Sequence, residues 1–303
     1  MKLLITGANG LVGKELVKEA LDQGHRINYL STQKKPNISS DKVKGFYWSP
    51  KTQEIDLTCF DGIDVIIHLA GASISQRWTK SNKEEIYNSR IDSTLLLIDS
   101  LKELPEHAVK HVICASAIGI YPSSLNKVYT EMFKPTGNSF LEHVVIDWES
   151  TSNKFNDIGI STAILRIGLV LTKKGGLLQP LKLPTSFGLG AAFGSGKQVQ
   201  SWIHVTDLVG IFLMAINEKW EGIYNAVGPN PVNQTVFMKT FAKALNRPFF
   251  LPALPKFIIS FFMGEMSTLI FNSQLVSADK VLSKGYRFKY PNLLQAIQSL
   301  TRS

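Results

Sequence analysis

The chain has 303 residues, 44% hydrophobic and 19% charged, the balance of an ordinary globule rather than a disordered or fibrous protein. Its net charge of +9 comes from 33 Lys and Arg against 24 Asp and Glu. The basic residues are scattered with no interleaved aromatic ladder, which argues against nucleic acid and for a phosphate-bearing small molecule. The two cysteines, Cys59 and Cys114, exclude a disulfide framework and read as reduced cytoplasmic thiols, and no residue cluster has the spacing of a metal site.

Residues 2–6 read as a strand, and a chain opening directly on a strand is expected to carry no signal or transit segment. Thr6-Gly7-Ala8-Asn9-Gly10-Leu11-Val12-Gly13 follows and leads into a helical pattern over 11–23. Glycine at 7 allows a tight turn, at 10 a close approach of backbone to a pyrophosphate, and at 13 close packing of helix on sheet. The helix N-terminus then presents free N–H groups to phosphate. Three glycines alone are weak evidence; inside a strand–turn–helix unit they specify a dinucleotide. The second strand, 26–30, runs into Ser31-Thr32-Gln33-Lys34-Lys35. An acidic residue here would hold the 2′-hydroxyl of NAD; instead Lys34 and Lys35 suit a 2′-phosphate, so NADP is expected over NAD.

Strand-like runs at 45–48, 65–69, 111–115 and 163–170 alternate with helical patterns at 83–101 and 141–156. That alternation predicts an α/β fold, a Rossmann-type doubly wound parallel sheet with helices on both faces. Beyond about residue 172 glycines at 175, 176, 188, 190, 194 and 196 mark a loop-rich stretch. A strand at 222–227, an amphipathic helix at 235–245 and a Pro-rich break at 247–255 follow. Residues 257–271 are the most apolar stretch, too short for a membrane span and interrupted by Gly264, Glu265 and Ser267; a packed helix pair fits better than attachment to a bilayer. The expected division is an NAD(P)-binding domain over 1–230, with about 173–204 on the substrate side, and a small C-terminal domain over 240–297 closing over the sheet edge.

The glycine spacing resembles the extended, sugar-nucleotide epimerase-like branch of the short-chain dehydrogenases. His68-Leu69-Ala70-Gly71-Ala72 looks like that group's loop along the adenosine and ribose, and Ser201-Trp202-Ile203-His204-Val205-Thr206-Asp207-Leu208 like its substrate-side segment. Arg77-Trp78, Ser89-Arg90, Ala115-Ser116-Ala117-Ile118-Gly119-Ile120-Tyr121, Asp147-Trp148-Glu149 and Tyr224-Asn225-Ala226-Val227-Gly228-Pro229 narrow the match. Together they resemble an atypical subfamily, the epimerase family proteins, some labelled cell-division inhibitors, with Gly285-Tyr286-Arg287-Phe288 in a C-terminal domain of undefined function. The resemblance implies NADP contacts at the glycine loop, Ser31, Thr32, Leu69, Ala70, Gly71, Glu85, Arg90 and Val170. Thr32 stands where relatives can place an arginine, which leaves the 2′-phosphate to Lys34, Lys35 or backbone. Arg90 is suited to fork onto a phosphate; the competing reading pairs it with Asp92 or Glu85.

The superfamily's proton shuttle is a tyrosine followed four residues later by a lysine. Alignment on Asp147-Trp148-Glu149 puts Leu141 and Val145 there, so the dyad is absent. Substitutes are Tyr121 and, near the superfamily's helper hydroxyl, Ser116; Glu142, His143 and His204 have stronger structural readings as a solvated helix pair and a core histidine. Two functions remain open: an NADP-dependent oxidoreductase or epimerase acting on an unidentified small molecule with a non-standard acid, or a cofactor-binding sensor or partner protein.

Overall fold

A computed structural model describes residues 1–34 and 40–301. Strand β1 (Lys2–Thr6) leads into helix α1 (Leu11–Asp22), followed by β2 (Arg26–Ser31), β3 (Val43–Ser49), a short β4 (Glu54–Ile55) and β5 (Val65–His68). Helix α2 (Lys80–Lys102), β6 (His111–Ala117) and α3 (Phe140–Asn153) come next, and strands Ser161–Ile167 and Gly222–Ala226 complete the main sheet. The spatial order runs Gly222–Ala226, Ser161–Ile167, β6, β5, β1, β2, β3, β4, all parallel except the β3–β4 pair at the edge. The chain winds outward from β1 through β2 and β3, then returns to the other side of β1 with β5. This reversal makes the carboxyl ends of β1 and β5 the point where a doubly wound sheet opens to a ligand.

Side chains alternate across the strands, so the sheet has two buried faces. Leu3, Ile5, Ile27 and Tyr29 point to one, where α1 supplies Leu16 and Ala20 and the later helix Val205–Asn217 supplies Leu208 and Phe212. Leu4, Leu30, Ile66 and Val112 point to the other, against Leu97 and Leu101 of α2 and Phe155. Strands buried on both sides are near-continuous apolar runs, the reason these segments stood out in the sequence.

Two segments depart from expectation. The run 163–170 breaks at Gly168, where a Cβ would lie 2.5 Å from the Ser201 carbonyl oxygen. Before the break, Ser161–Ile167 stays in the main sheet; after it, Leu169–Thr172 joins a three-stranded sheet with Trp202–His204. The apolar stretch 257–271 does form helices, Lys256–Met263 and Thr268–Phe271, joined by a 3-10 turn, yet Phe257, Phe261 and Phe262 are exposed rather than packed. Leu293, Ala296 and Ile297 of the last helix share one apolar cluster with Phe237, Leu171, Leu178 and Trp202, which ties the C-terminal segment to the substrate-side elements. Among the described residues no helix is long and apolar enough to cross a membrane, and no group of His, Cys, Asp and Glu could hold a metal ion.

Candidate active site

The turn between β1 and α1 is shaped by its glycines, each for a different reason. Gly7 has φ +68° and lies so close to the next loop that a Cβ would stand 2.8 Å from the Leu69 carbonyl oxygen. Gly13 is buried; its Cβ would reach 2.2 Å from the Gly7 oxygen. Gly10 differs: its φ of −74° suits any residue, and a Cβ there would meet only the Gly7 oxygen at 3.1 Å. Gly10 also caps α1 without any side-chain hydrogen bond, so the first N–H groups of the helix carry no protein cap. Asn9, Gly10 and Leu11 are exposed at this tip and Val12 is half-buried behind them. A backbone cradle open at Gly10 and closed at Gly7 and Gly13 fits the pyrophosphate of a dinucleotide.

Thr6 is committed to the scaffold. Its Oγ1 accepts the N–H groups of Leu69 and Ala70, both at 3.0 Å, and contacts His68 Nδ1 at 2.8 Å. His68 is wholly buried, its Nε2 3.0 Å from Thr94 Oγ1, and desolvation lowers its pKa to about 3. This chain of polar contacts fixes the Leu69-Ala70-Gly71 loop beside the glycine turn. Under Gly71 lies Arg90, whose guanidinium carbon would be 3.2 Å from a Cβ at that glycine. Its Nη1 donates to the carbonyls of Ile86 (2.7 Å) and Ala72 (3.2 Å), and the guanidinium sits 5.1 Å from the Trp148 ring centroid. Among the described residues no carboxylate pairs with Arg90, which removes the Asp92 or Glu85 alternative, and desolvation lowers its pKa to about 10. Glu85 is exposed on the same helix, accepting from Gln76 Nε2 at 3.4 Å.

At the end of β2, Ser31 is buried and its Oγ accepts the Gln33 N–H at 3.1 Å, while Thr32 and Lys34 are exposed. Lys35 lies outside the described residues. Val170 is half-buried in Leu169–Thr172, next to the hairpin that returns through Gly175 and Gly176. That hairpin touches α1: a Cβ at Gly175 would meet the Leu11 side chain at 2.5 Å. The turn carrying Lys173 and Lys174 therefore lies beside the glycine loop.

Beyond Arg90 a cavity of about 240 Å³ opens between β6, α3 and the C-terminal segment. Its walls are mostly apolar, with Leu141 and Val145 among them, the two positions where the dyad would stand. Two polar atoms of lining residues, Trp148 Nε1 and Gln200 Oε1, are buried without a partner. Sequence reasoning missed both, because nothing in a single sequence marks a tryptophan or glutamine as unsatisfied.

Tyr121 and Ser116 are not among the cavity's lining residues. They sit in one buried network: Ser116 Oγ donates to Glu149 Oε1 at 2.5 Å, Arg166 forks onto Glu149 at 2.8 Å for both bonds, and Arg166 Nη1 donates to the Tyr121 oxygen at 2.9 Å. The Tyr121 hydroxyl in turn donates to Asn225 Oδ1 at 2.7 Å, and burial raises its pKa. The strand brings both residues toward the carboxyl end of the sheet, where Glu149 engages the Ser116 hydroxyl and Arg166 and Asn225 engage that of Tyr121. Glu142 is buried rather than solvated, accepting from the Ser139 hydroxyl and the Asn138 N–H at the start of α3, while His143 is exposed as expected. His204 caps the helix Val205–Asn217 through Nδ1, contacts Ser299 Oγ through Nε2 at 3.1 Å and packs on Tyr290.

The sequence profile of the NAD dependent epimerase/dehydratase family matches residues 3–171, more than half the chain, and that of a domain of unknown function matches 254–300. The chain belongs to the NAD-dependent epimerase/dehydratase family. Its similarity to an epimerase family protein of Staphylococcus epidermidis is 37% identity across all of this chain and 99% of that one. Human epimerase family protein SDR39U1, solved with NADPH, superposes with a TM-score of 0.86 at 26% identity, each chain covered completely. A UDP-glucose 4-epimerase of Thermus thermophilus, solved with NAD, shares the fold at a TM-score of 0.75 and 19% identity, with 99% of this chain and 98% of that one covered.

Proposed function

We propose that this protein is an NADP-dependent oxidoreductase acting on a small molecule in the cavity beside Arg90. The observation that carries the reading is the continuity of two features: a phosphate cradle open at Gly10, and an apolar cavity lined by Arg90 at the carboxyl end of β6. Small-molecule sites combine such concave apolar walls with a few fixed polar groups. Backbone N–H groups at Gly10, Leu11 and Val12 would hold the pyrophosphate, Ser31, Thr32 and Lys34 the adenosine ribose and its 2′-phosphate, and Leu69, Ala70 and Gly71 the ribose edge. Arg90 has N–H groups beyond the Nη1 donor used on Ala72 and Ile86, and Lys173 and Lys174 add charge beside the loop. Bound there, the cofactor supplies or accepts hydride. The missing acid side chain at the end of β2 and the NADPH in the human relative both favour NADP over NAD. Oxidoreduction is favoured over sugar epimerisation, which needs a group to take and return a hydroxyl proton; Leu141 and Val145 cannot. Titration of the protein with NADPH and NADH tests this: NADPH is expected to bind at least tenfold more tightly, and equal affinities would return the choice to NAD.

A further inference from the structure

Resting on the NADP-dependent reading, the cavity's chemistry limits what can be reduced in it. Among the described residues that line it there is no Asp, Glu, His, Lys, Tyr or Cys. Ser201 is the only hydroxyl, and its proton is committed: Oγ donates to the Gln274 carbonyl at 2.8 Å and accepts the Val276 N–H at 3.0 Å. Arg90, its pKa lowered by burial to about 10, remains a cation at neutral pH. The site therefore offers a charge for a developing oxyanion, and no acid to protonate one.

That distinction separates carbonyl classes. A saturated ketone or a sugar ketone that accepts hydride becomes an alkoxide, a strong base that must be protonated as it forms. A quinone that accepts hydride becomes a phenolate-like anion whose conjugate acid lies near that of tyrosine, about 10. Such an anion survives without an enzymic proton and is further stabilised by a guanidinium. The walls agree: Ile86, Ile118, Leu141, Val144 and Val145 make them largely apolar, and the Trp148 indole, 5.1 Å from the Arg90 guanidinium, is among the lining side chains.

We propose that the cavity takes a flat conjugated carbonyl of the quinone type as its hydride acceptor, with the Arg90 guanidinium as countercharge to the anion it becomes. The acceptor gains two electrons and one hydrogen nucleus as hydride from the reduced nicotinamide, forming one bond to hydrogen, and leaves as the hydroquinone monoanion. Its remaining proton comes from water after release, so the sum is quinone, reduced nicotinamide and one proton to hydroquinone and oxidised nicotinamide.

The probe is menadione, with 1-tetralone, an aryl ketone of similar size whose reduction gives an alkoxide, as its counterpart. Binding is read by tryptophan quenching and thermal shift on protein loaded with NADP⁺, where no turnover occurs, and again without cofactor. Menadione is expected to bind, and Leu269→Trp, which fills the cavity from the C-terminal side, to weaken it at least tenfold while NADPH affinity stays within twofold. Under anaerobic conditions NADPH oxidation by menadione is expected to show a flat pH profile between about 6 and 8.5 and a solvent isotope effect near one, with 1-tetralone at least a hundredfold slower. Failure of menadione to bind or react while NADPH binds normally overturns the inference and leaves the NADP reading intact. So does equal reduction of 1-tetralone, or a pH profile that titrates with a single enzymic group. Failure of NADPH to bind removes the underlying reading and the inference with it.

Discussion

Replacing Gly10 or Gly13 by alanine separates what the cradle does for the ligand from what it does for the fold. A methyl at Gly13 would stand 2.2 Å from the Gly7 oxygen and 2.8 Å from the Ala8 Cα, both backbone atoms, so the turn itself must move. Overpacking of this kind costs about 1–3 kcal/mol. At roughly 2–4 °C per kcal/mol in a chain of this size, Gly13→Ala should lower Tm by about 2–12 °C. A methyl at Gly10 meets one backbone oxygen at 3.1 Å from a backbone with φ −74°, so no dihedral strain follows and the turn has only a few tenths of an ångström to give. Stability should fall by about 1 kcal/mol, the cost of exchanging a glycine N-cap for alanine, which caps poorly. The same methyl projects from the open side of the cradle, into the space reserved for phosphate. If the 1–3 kcal/mol of overpacking appears there instead, NADPH affinity falls about 5- to 150-fold. Differential scanning fluorimetry without ligand and fluorescence titration with NADPH give the two numbers separately. A Gly10→Ala variant that binds NADPH as wild type does, or a Gly13→Ala variant with unchanged Tm, would refute the division of roles.

Glu149→Gln should destabilise by about 3–5 kcal/mol in urea melts, because it leaves the buried Arg166 without its countercharge. Tyr121→Phe removes one hydroxyl from that network and should cost about 1–2 kcal/mol with NADPH affinity unchanged; a large loss of affinity would place Tyr121 at the ligand after all. Folding holds His68 neutral at about 3 against an ordinary 6.5, so the unfolded chain binds the proton more tightly and stability declines as pH falls from 6.5 toward 3. The slope is up to about 1.4 kcal/mol per pH unit, and His68→Gln should flatten that part of the stability curve; an unchanged curve would mean another group governs it. Introducing Tyr at Leu141 and Lys at Val145 together should raise NADPH-dependent reduction of a saturated ketone at least tenfold, and no gain would mean these two positions do not face the reacting carbonyl.

The cofactor half of the protein was legible because it is built from local signals. Buried parallel strands are continuous apolar runs, and glycines with fixed jobs at 7, 10 and 13 sit at fixed spacing between strand and helix. Leu141 and Val145 were likewise singled out locally, one helical turn apart ahead of Asp147-Trp148-Glu149, and both line the cavity. The reacting end was not legible, because there the decisive facts join distant residues. Tyr121 is held by Arg166, 45 positions away, and by Asn225, 104 away; no local pattern shows that its hydroxyl is already engaged. The break at Gly168 has the same origin: only the Ser201 backbone crossing above it forces one apolar run into two sheets. The helix pair over 257–271 was expected from apolarity alone, which does not say which rings find a neighbour.

Isothermal titration of the purified protein with NADPH, with NADH in parallel, tests the central claim most directly. One NADPH per chain, bound at least tenfold more tightly than NADH and lost in Gly10→Asp, is the predicted result, because that carboxylate would stand against the pyrophosphate. No heat of binding from either nucleotide, or binding that survives Gly10→Asp intact, would contradict it.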